Sequence, residues 1–130
     1  MSIRKIEPLD ALVERVAQAR AQGKRVAMAN GVFDLLHVGH VRYLQASREL
    51  ADLLVVAVNS DSSTRAYKGP GRPVIPEAER AELVAALACV DLVTVFDAPD
   101  VRGVLRAIKP DVHVKGTDYT EGSIPERDEV

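Results

Sequence analysis

The stretch KRVAMANGVFDLLHVGHVRYL, residues 24–44, decides how this chain is read. Its first half is apolar from Val26 to Ala29, which predicts a strand over residues 25–29 that stops at the turn-forming pair Asn30-Gly31. Its second half changes period. His40, Tyr43, Leu44, Ser47, Leu50 and Ala51 fall on one face of a helix over residues 40–50. Two of the chain's three histidines, His37 and His40, stand at the mouth of that helix.

Outward from this unit the alternation continues. Before it, Leu9, Leu12, Val13 and Val16 recur at helical spacing, and Gly23 is a stop signal. After it, LLVVAVN (53–59) is a near-continuous valine-rich run, as expected of a strand buried on both faces. SDSSTRAYKGPGRP reads as a long loop, and PEAERAELVAALA as a helix with Pro76 at its first position and Glu77 and Glu79 in its first turn. LVTVF is a strand, PDVRGVLRAIK a helix weakened by Gly103, and DVHVKG a strand. Four strands alternating with helices predict one α/β domain over residues 1–130, built on a doubly wound parallel sheet. At the end, Ser123 and Glu126 have capping-box spacing and Pro125 suits a first turn, so a short helix is expected to start there.

Composition narrows the function. The chain has 130 residues, 47% apolar and 28% charged, with a formal net charge of −2, which is ordinary for a globular protein and gives no basic excess for nucleic acid or a membrane surface. Anion binding must therefore come from a few placed groups. The single Cys89 forms no internal disulfide, and the N-terminus has no apolar core for a signal peptide; a cytoplasmic protein is expected.

In an open parallel sheet, ligands bind beyond the carboxyl ends of the strands, where the strand order reverses. The first and fourth strands are expected to be neighbours there, so the loop with NGVFDLLHVGH and the loop with KGTDY would face one crevice. A helix start, two imidazoles and Gly39 between them suit a phosphate. Two other readings stand beside this one. The histidines could bind a metal, although no cysteine or carboxylate pair completes a set of ligands. They could also simply cap the helix.

GVFDLLHVGH resembles the His-x-Gly-His signature of the cytidylyltransferase-like nucleotidyltransferases. VAVNSD, RPVIPEAER, VDLVTVF and PDVHVKGTDY resemble further segments of that family, so the likeness spans most of residues 25–120. VNSD, KG…RPV and VKGTDY are most similar to heptose 1-phosphate adenylyltransferases of lipopolysaccharide precursor synthesis, in their free-standing form. The resemblance implies a Rossmann-like sheet of order 3-2-1-4-5, with the last strand and helix missing from this chain. It implies ATP as substrate, Mg²⁺ on the triphosphate, a sugar 1-phosphate as acceptor and a homo-oligomer. The alternatives are a CTP-dependent enzyme for glycerol phosphate or a similar molecule, and a non-catalytic nucleotide-binding module.

Site residues follow on that footing. His37, His40 and Lys68 are the expected catalytic groups. The backbone of Gly31, Val32 and Phe33 would meet the nucleotide, beside Gly39. Asp34 would orient its loop or help hold the metal, with the first favoured. Arg80 shares the inward face of Leu83 and Val84, from which it could reach a phosphate. Lys115, Gly116 and Asp118 complete the nucleotide side; a lysine closing a buried strand is costly unless it meets a partner. Asn59, Asp61 and Arg72 are candidates for the sugar phosphate, with turn-capping the other reading of Asn59 and Asp61. His113 alternates away from the site and is expected to be structural.

Overall fold

Four strands, β1 (Val26–Gly31), β2 (Leu53–Asn59), β3 (Leu92–Phe96) and β4 (Val112–Lys115), form one parallel sheet in the order β3-β2-β1-β4. They come from a computed structural model of the chain, which describes residues 5–97 and 101–115. The terminal segment with Ser123, Pro125 and Glu126 lies outside those residues.

The strand sequences are mostly apolar because both faces are covered. Alternate residues divide between two cores. Ala27, Ala29, Leu54, Val56 and Val58 meet Tyr43 and Leu44 of α2 (Val38–Arg48) and Ala81, Val84 and Ala85 of α4 (Glu77–Ala85). Val26, Met28, Val55 and Ala57 meet Leu12 and Val16 of α1 (Leu9–Ala21) and Val104 and Ile108 of α5 (Arg102–Ile108). The outer edge of β3 takes a short parallel bridge between Ile6 and Val93. No helix among the described residues is long and apolar enough to cross a membrane.

The doubly wound expectation holds, including the reversal between β1 and β4. Three details differ. Leu50 is 45% exposed because α2 ends at Arg48 and the chain has left the helical face before residue 50. Leu83, expected inward, is 43% exposed, while Val84 carries the buried face. The segment expected to be a long loop contains a helix, α3 (Asp61–Lys68). It has almost no apolar stripe, so hydropathy does not show it. Its signals are at its ends: the Ser60 side chain caps Ser63 N–H, Asp61 sits in the first turn, Arg65 and Lys68 in the last, and Gly69 closes it at φ 94°. The Thr64 hydroxyl returns to the Ser60 carbonyl at 2.7 Å, which satisfies its buried oxygen.

Candidate active site

The site is built on the turn between β1 and α2. Phe33 (φ 54°) and Leu35 (φ 57°) both take left-handed backbone, a conformation that costs side chains about 1–2 kcal/mol each. Packing holds Phe33 there, while Leu35 is half-exposed. The Phe33 ring is buried, meets His40 edge-on at 5.5 Å between centroids and stacks on Tyr43 at 6.5 Å. It also folds over Gly31, where a Cβ would lie 3.1 Å from the ring.

Between these two residues the Asp34 carboxylate is pinned. Its side chain is only 8% exposed, and it accepts from Val74 N–H at 2.8 Å, Ile75 N–H at 3.0 Å and the Arg72 guanidinium at 3.4 Å. Burial alone would raise this carboxyl, but those donors outweigh it and hold it below the usual carboxylate value. Asp34 thus orients two loops at once, tying the chain after α3 onto the turn after β1. Arg72 is half-exposed and joined to that carboxylate.

Arg80 is where the structure corrects the sequence reading. It is wholly buried, and its guanidinium donates to Ile75 O, Val32 O, Asn59 O and Asp61 Oδ1, all at 2.7–2.8 Å. Instead of reaching outward to a phosphate, it fastens the turn after β1, the end of β2, the start of α3 and the segment before α4 to one another. Asn59 and Asp61, expected at a sugar, belong to the same fastening. The Asn59 amide donates to Ser63 Oγ at 3.2 Å, and Asp61 N–H donates to Glu77 Oε1 at 2.7 Å. The turn-capping alternative does not describe them either: the cap of α3 is Ser60, and the Asp61 carboxylate is taken by Arg80. Glu77, read from the sequence as a first-turn acid of its own helix, also accepts from the start of α3.

The histidines open α2. His37 is its N-cap, and its Nδ1 accepts from Gly39 N–H at 3.0 Å. His40 reaches back, and its Nδ1 accepts from His37 N–H at 3.1 Å. This is a reciprocal capping box with imidazoles in place of the usual hydroxyl and carboxyl groups. An accepting Nδ1 carries no proton, so each neutral ring carries its hydrogen on Nε2. The rings lie 4.0 Å apart between centroids. His40 titrates below the ordinary imidazole range, first because of its burial and then because of the charges of His37 and Lys68. Lys68, the third expected catalytic group, ends α3, and its charge is the smallest of those causes.

The β1–β4 register places Lys115 beside Asn30, one residue before Gly31. The direction of the Lys115 side chain, and Gly116 and Asp118, lie outside the described residues. His113 is buried, and its Nε2 lies 2.7 Å from Asn30 Oδ1; it is structural, but it braces the site turn instead of standing apart from it. Tyr43, unrecognised as a support, donates to Val114 O at 2.5 Å and joins α2 to β4. Burial keeps its hydroxyl protonated far above the usual range.

Among the described residues, no group of three or more His, Cys, Asp or Glu side chains could hold a metal ion. Both Asp34 oxygens and Asp61 Oδ1 already accept from protein donors.

Comparison with known proteins gives the same direction. Residues 28–129 match the family described as cytidylyltransferase-like. The chain is 53% identical over 123 residues to the bifunctional protein HldE of Geotalea uraniireducens (strain Rf4), covering 95% of this chain and 24% of that protein. It is 49% identical over 126 residues to HldE of Geobacter sulfurreducens, covering 97% and 26%. The chain thus spans about a quarter of the length of these curated relatives. A lipopolysaccharide core biosynthesis protein from Thermoplasma volcanium GSS1 superposes with a TM-score of 0.66 at 36% identity, over 75% of this chain and 78% of that one.

Proposed function

The chain belongs to the cytidylyltransferase-like family of nucleotidyltransferases, and from that premise we propose that it transfers AMP from ATP to a heptose 1-phosphate, giving ADP-heptose and pyrophosphate for lipopolysaccharide core precursors. One observation carries the mechanism: two Nε2–H donors at one helix start, beyond the carboxyl end of β1 at the reversal of the sheet. A phosphate oxygen of the sugar 1-phosphate attacks the α-phosphorus of ATP. The bond from that phosphorus to the α,β-bridging oxygen breaks, and pyrophosphate leaves with the electron pair.

No protein nucleophile is required. The work of the protein is to position the phosphates and to meet charge that moves among their oxygens. His37 and His40 donate from Nε2, Lys68 supplies a positive charge, and the backbone of Gly31, Val32 and Phe33 shapes the floor. Lys115, Gly116 and Asp118 would close the β4 side. Arg80 and Asp34 are positioning residues that hold the loops carrying these groups. The described carboxylates do not make a cage for Mg²⁺. A metal accompanying the nucleotide would ride on phosphate oxygens and water, which suits its coordination habits, and no step above is routed through it.

Pyrophosphate release with each pairing of ATP or CTP and heptose 1-phosphate or glycerol 3-phosphate tests the reading. It is expected with ATP and heptose 1-phosphate. Release with CTP and glycerol phosphate would transfer the assignment to the CTP-dependent alternative. Nucleotide binding without release in any pairing would point to a non-catalytic module.

A further inference from the structure

We propose that the start of α2 is a tautomer lock: the backbone N–H groups of Gly39 and His37 fix both imidazoles in the Nε2–H form, and Gly39 is the positioning residue that lets the lock close. The proposal rests on the reading of these rings as phosphate donors and adds how they are made ready.

A neutral imidazole has one donor and one acceptor nitrogen, and only the environment decides which is which. Facing a phosphate, the wrong choice presents a lone pair to an anion. Here the choice is made before any ligand arrives. Gly39 N–H occupies the lone pair of His37 Nδ1 at 3.0 Å, and His37 N–H that of His40 Nδ1 at 3.1 Å. The two locks are independent, because the first holds the His37 ring and the second uses the His37 backbone N–H.

Gly39 is the condition for the first lock. It lies within the regular helix, in backbone open to any residue, where glycine is less favourable than alanine by about 1 kcal/mol. Its reason is space. A Cβ at position 39 would lie 2.8 Å from His37 Cε1 and 3.0 Å from His37 Nδ1, so the ring would have to leave. The glycine expected to make room for a ligand makes room for the imidazole. Because the clash is with a side chain, α2 itself has no reason to unfold.

The test reads tautomers directly, by long-range proton–nitrogen correlation of ¹⁵N-labelled imidazoles in the ligand-free chain at a pH where the rings are neutral. Both His37 and His40 should show a proton-bearing Nε2 and a bare Nδ1. In Gly39→Ala, with helix content unchanged, His37 should relax to a mixture while His40 stays locked. A tautomer mixture at either ring in the unaltered chain overturns the proposal, as does an unchanged His37 in Gly39→Ala. Turnover is a separate readout: Gly39→Ala should lose about 10²-fold in kcat, as a small misplacement of a reacting group does, with ATP affinity changed far less. If the tautomers behave as described and turnover does not fall, the lock stands and the assignment of His37 to phosphate chemistry fails.

Discussion

Arg80 and the His37–His40 pair look alike in a sequence: basic groups near strand ends, each able to meet a phosphate. The structure separates them by what their nitrogens already do. Arg80 is 0% exposed, and four hydrogen bonds turn its guanidinium inward onto the protein. Among the described residues, the imidazoles are hydrogen-bonded through Nδ1, to the cap. The first region is a fastening made of buried charge; the second is a pair of imidazoles whose inner nitrogens are used by the helix cap, and whose outer nitrogens are the donors of the proposed reaction. A basic residue near a site therefore becomes a ligand candidate only after its internal partners are counted.

The largest expected effect comes from breaking the fastening. Arg80→Met fills similar space but leaves the carbonyls of Val32, Asn59 and Ile75 without their donor, and Asp61 without its ion pair. Each buried acceptor left unsatisfied costs about 1–3 kcal/mol, so the three carbonyls alone set an expected loss of roughly 3 kcal/mol or more. Urea denaturation measures it. A loss below 1 kcal/mol would erase the distinction between the two regions.

The second region should behave in the opposite way. His40→Ala is expected to lower turnover by roughly 10²–10³-fold, the usual loss for one preorganised donor. Stability should fall by only about 1 kcal/mol, because one helix cap is removed. Steady-state turnover beside a denaturation midpoint checks both numbers. Normal turnover with poor folding would make His40 a packing group and merge it with Arg80.

Asp34 links the regions, and its contribution depends on pH. Asp34→Asn puts an amide donor against Val74 or Ile75 N–H and should cost about 1–3 kcal/mol at neutral pH. The Asp34 carboxyl titrates below its ordinary value of 3.8, so its stabilisation is present above that value and is lost as the pH falls below it. The gap between the original chain and Asp34→Asn should therefore close in acid. A gap that stays constant from pH 7 to pH 3 would show that the carboxylate charge is not what holds the loop.

The sheet was legible because both its faces are buried, which leaves unbroken runs such as LLVVAVN that hydropathy finds. The same signal misses α3, whose buried residues Ser63 and Thr64 are polar and satisfied locally. The histidine turn was legible from its glycines and its position after a strand. The role of Arg80 was not, because periodicity gives the direction of a side chain but not which carbonyls await it. Gly39 shows the same limit: a sequence shows that space is kept, and only geometry shows that His37 fills it.

The smallest effect concerns the charge of Lys68 as His40 feels it. His40 titrates below the ordinary imidazole value of 6.5, through burial first and then through the charges of His37 and Lys68. Lys68→Gln removes the last of these and leaves the others, so the His40 value should rise toward 6.5 without reaching it. Proton NMR titration of the His40 ring measures the shift. The sign extends to stability. With its value lowered by folding, His40 contributes stability that is present above 6.5 and is lost as the pH falls through the folded value. Lys68→Gln narrows the interval between the two values, so over this acid range the variant should lose less stability than the original chain. An unchanged titration would mean that the Lys68 ammonium does not stand near His40 in solution, and the catalytic grouping would then reduce to the two histidines.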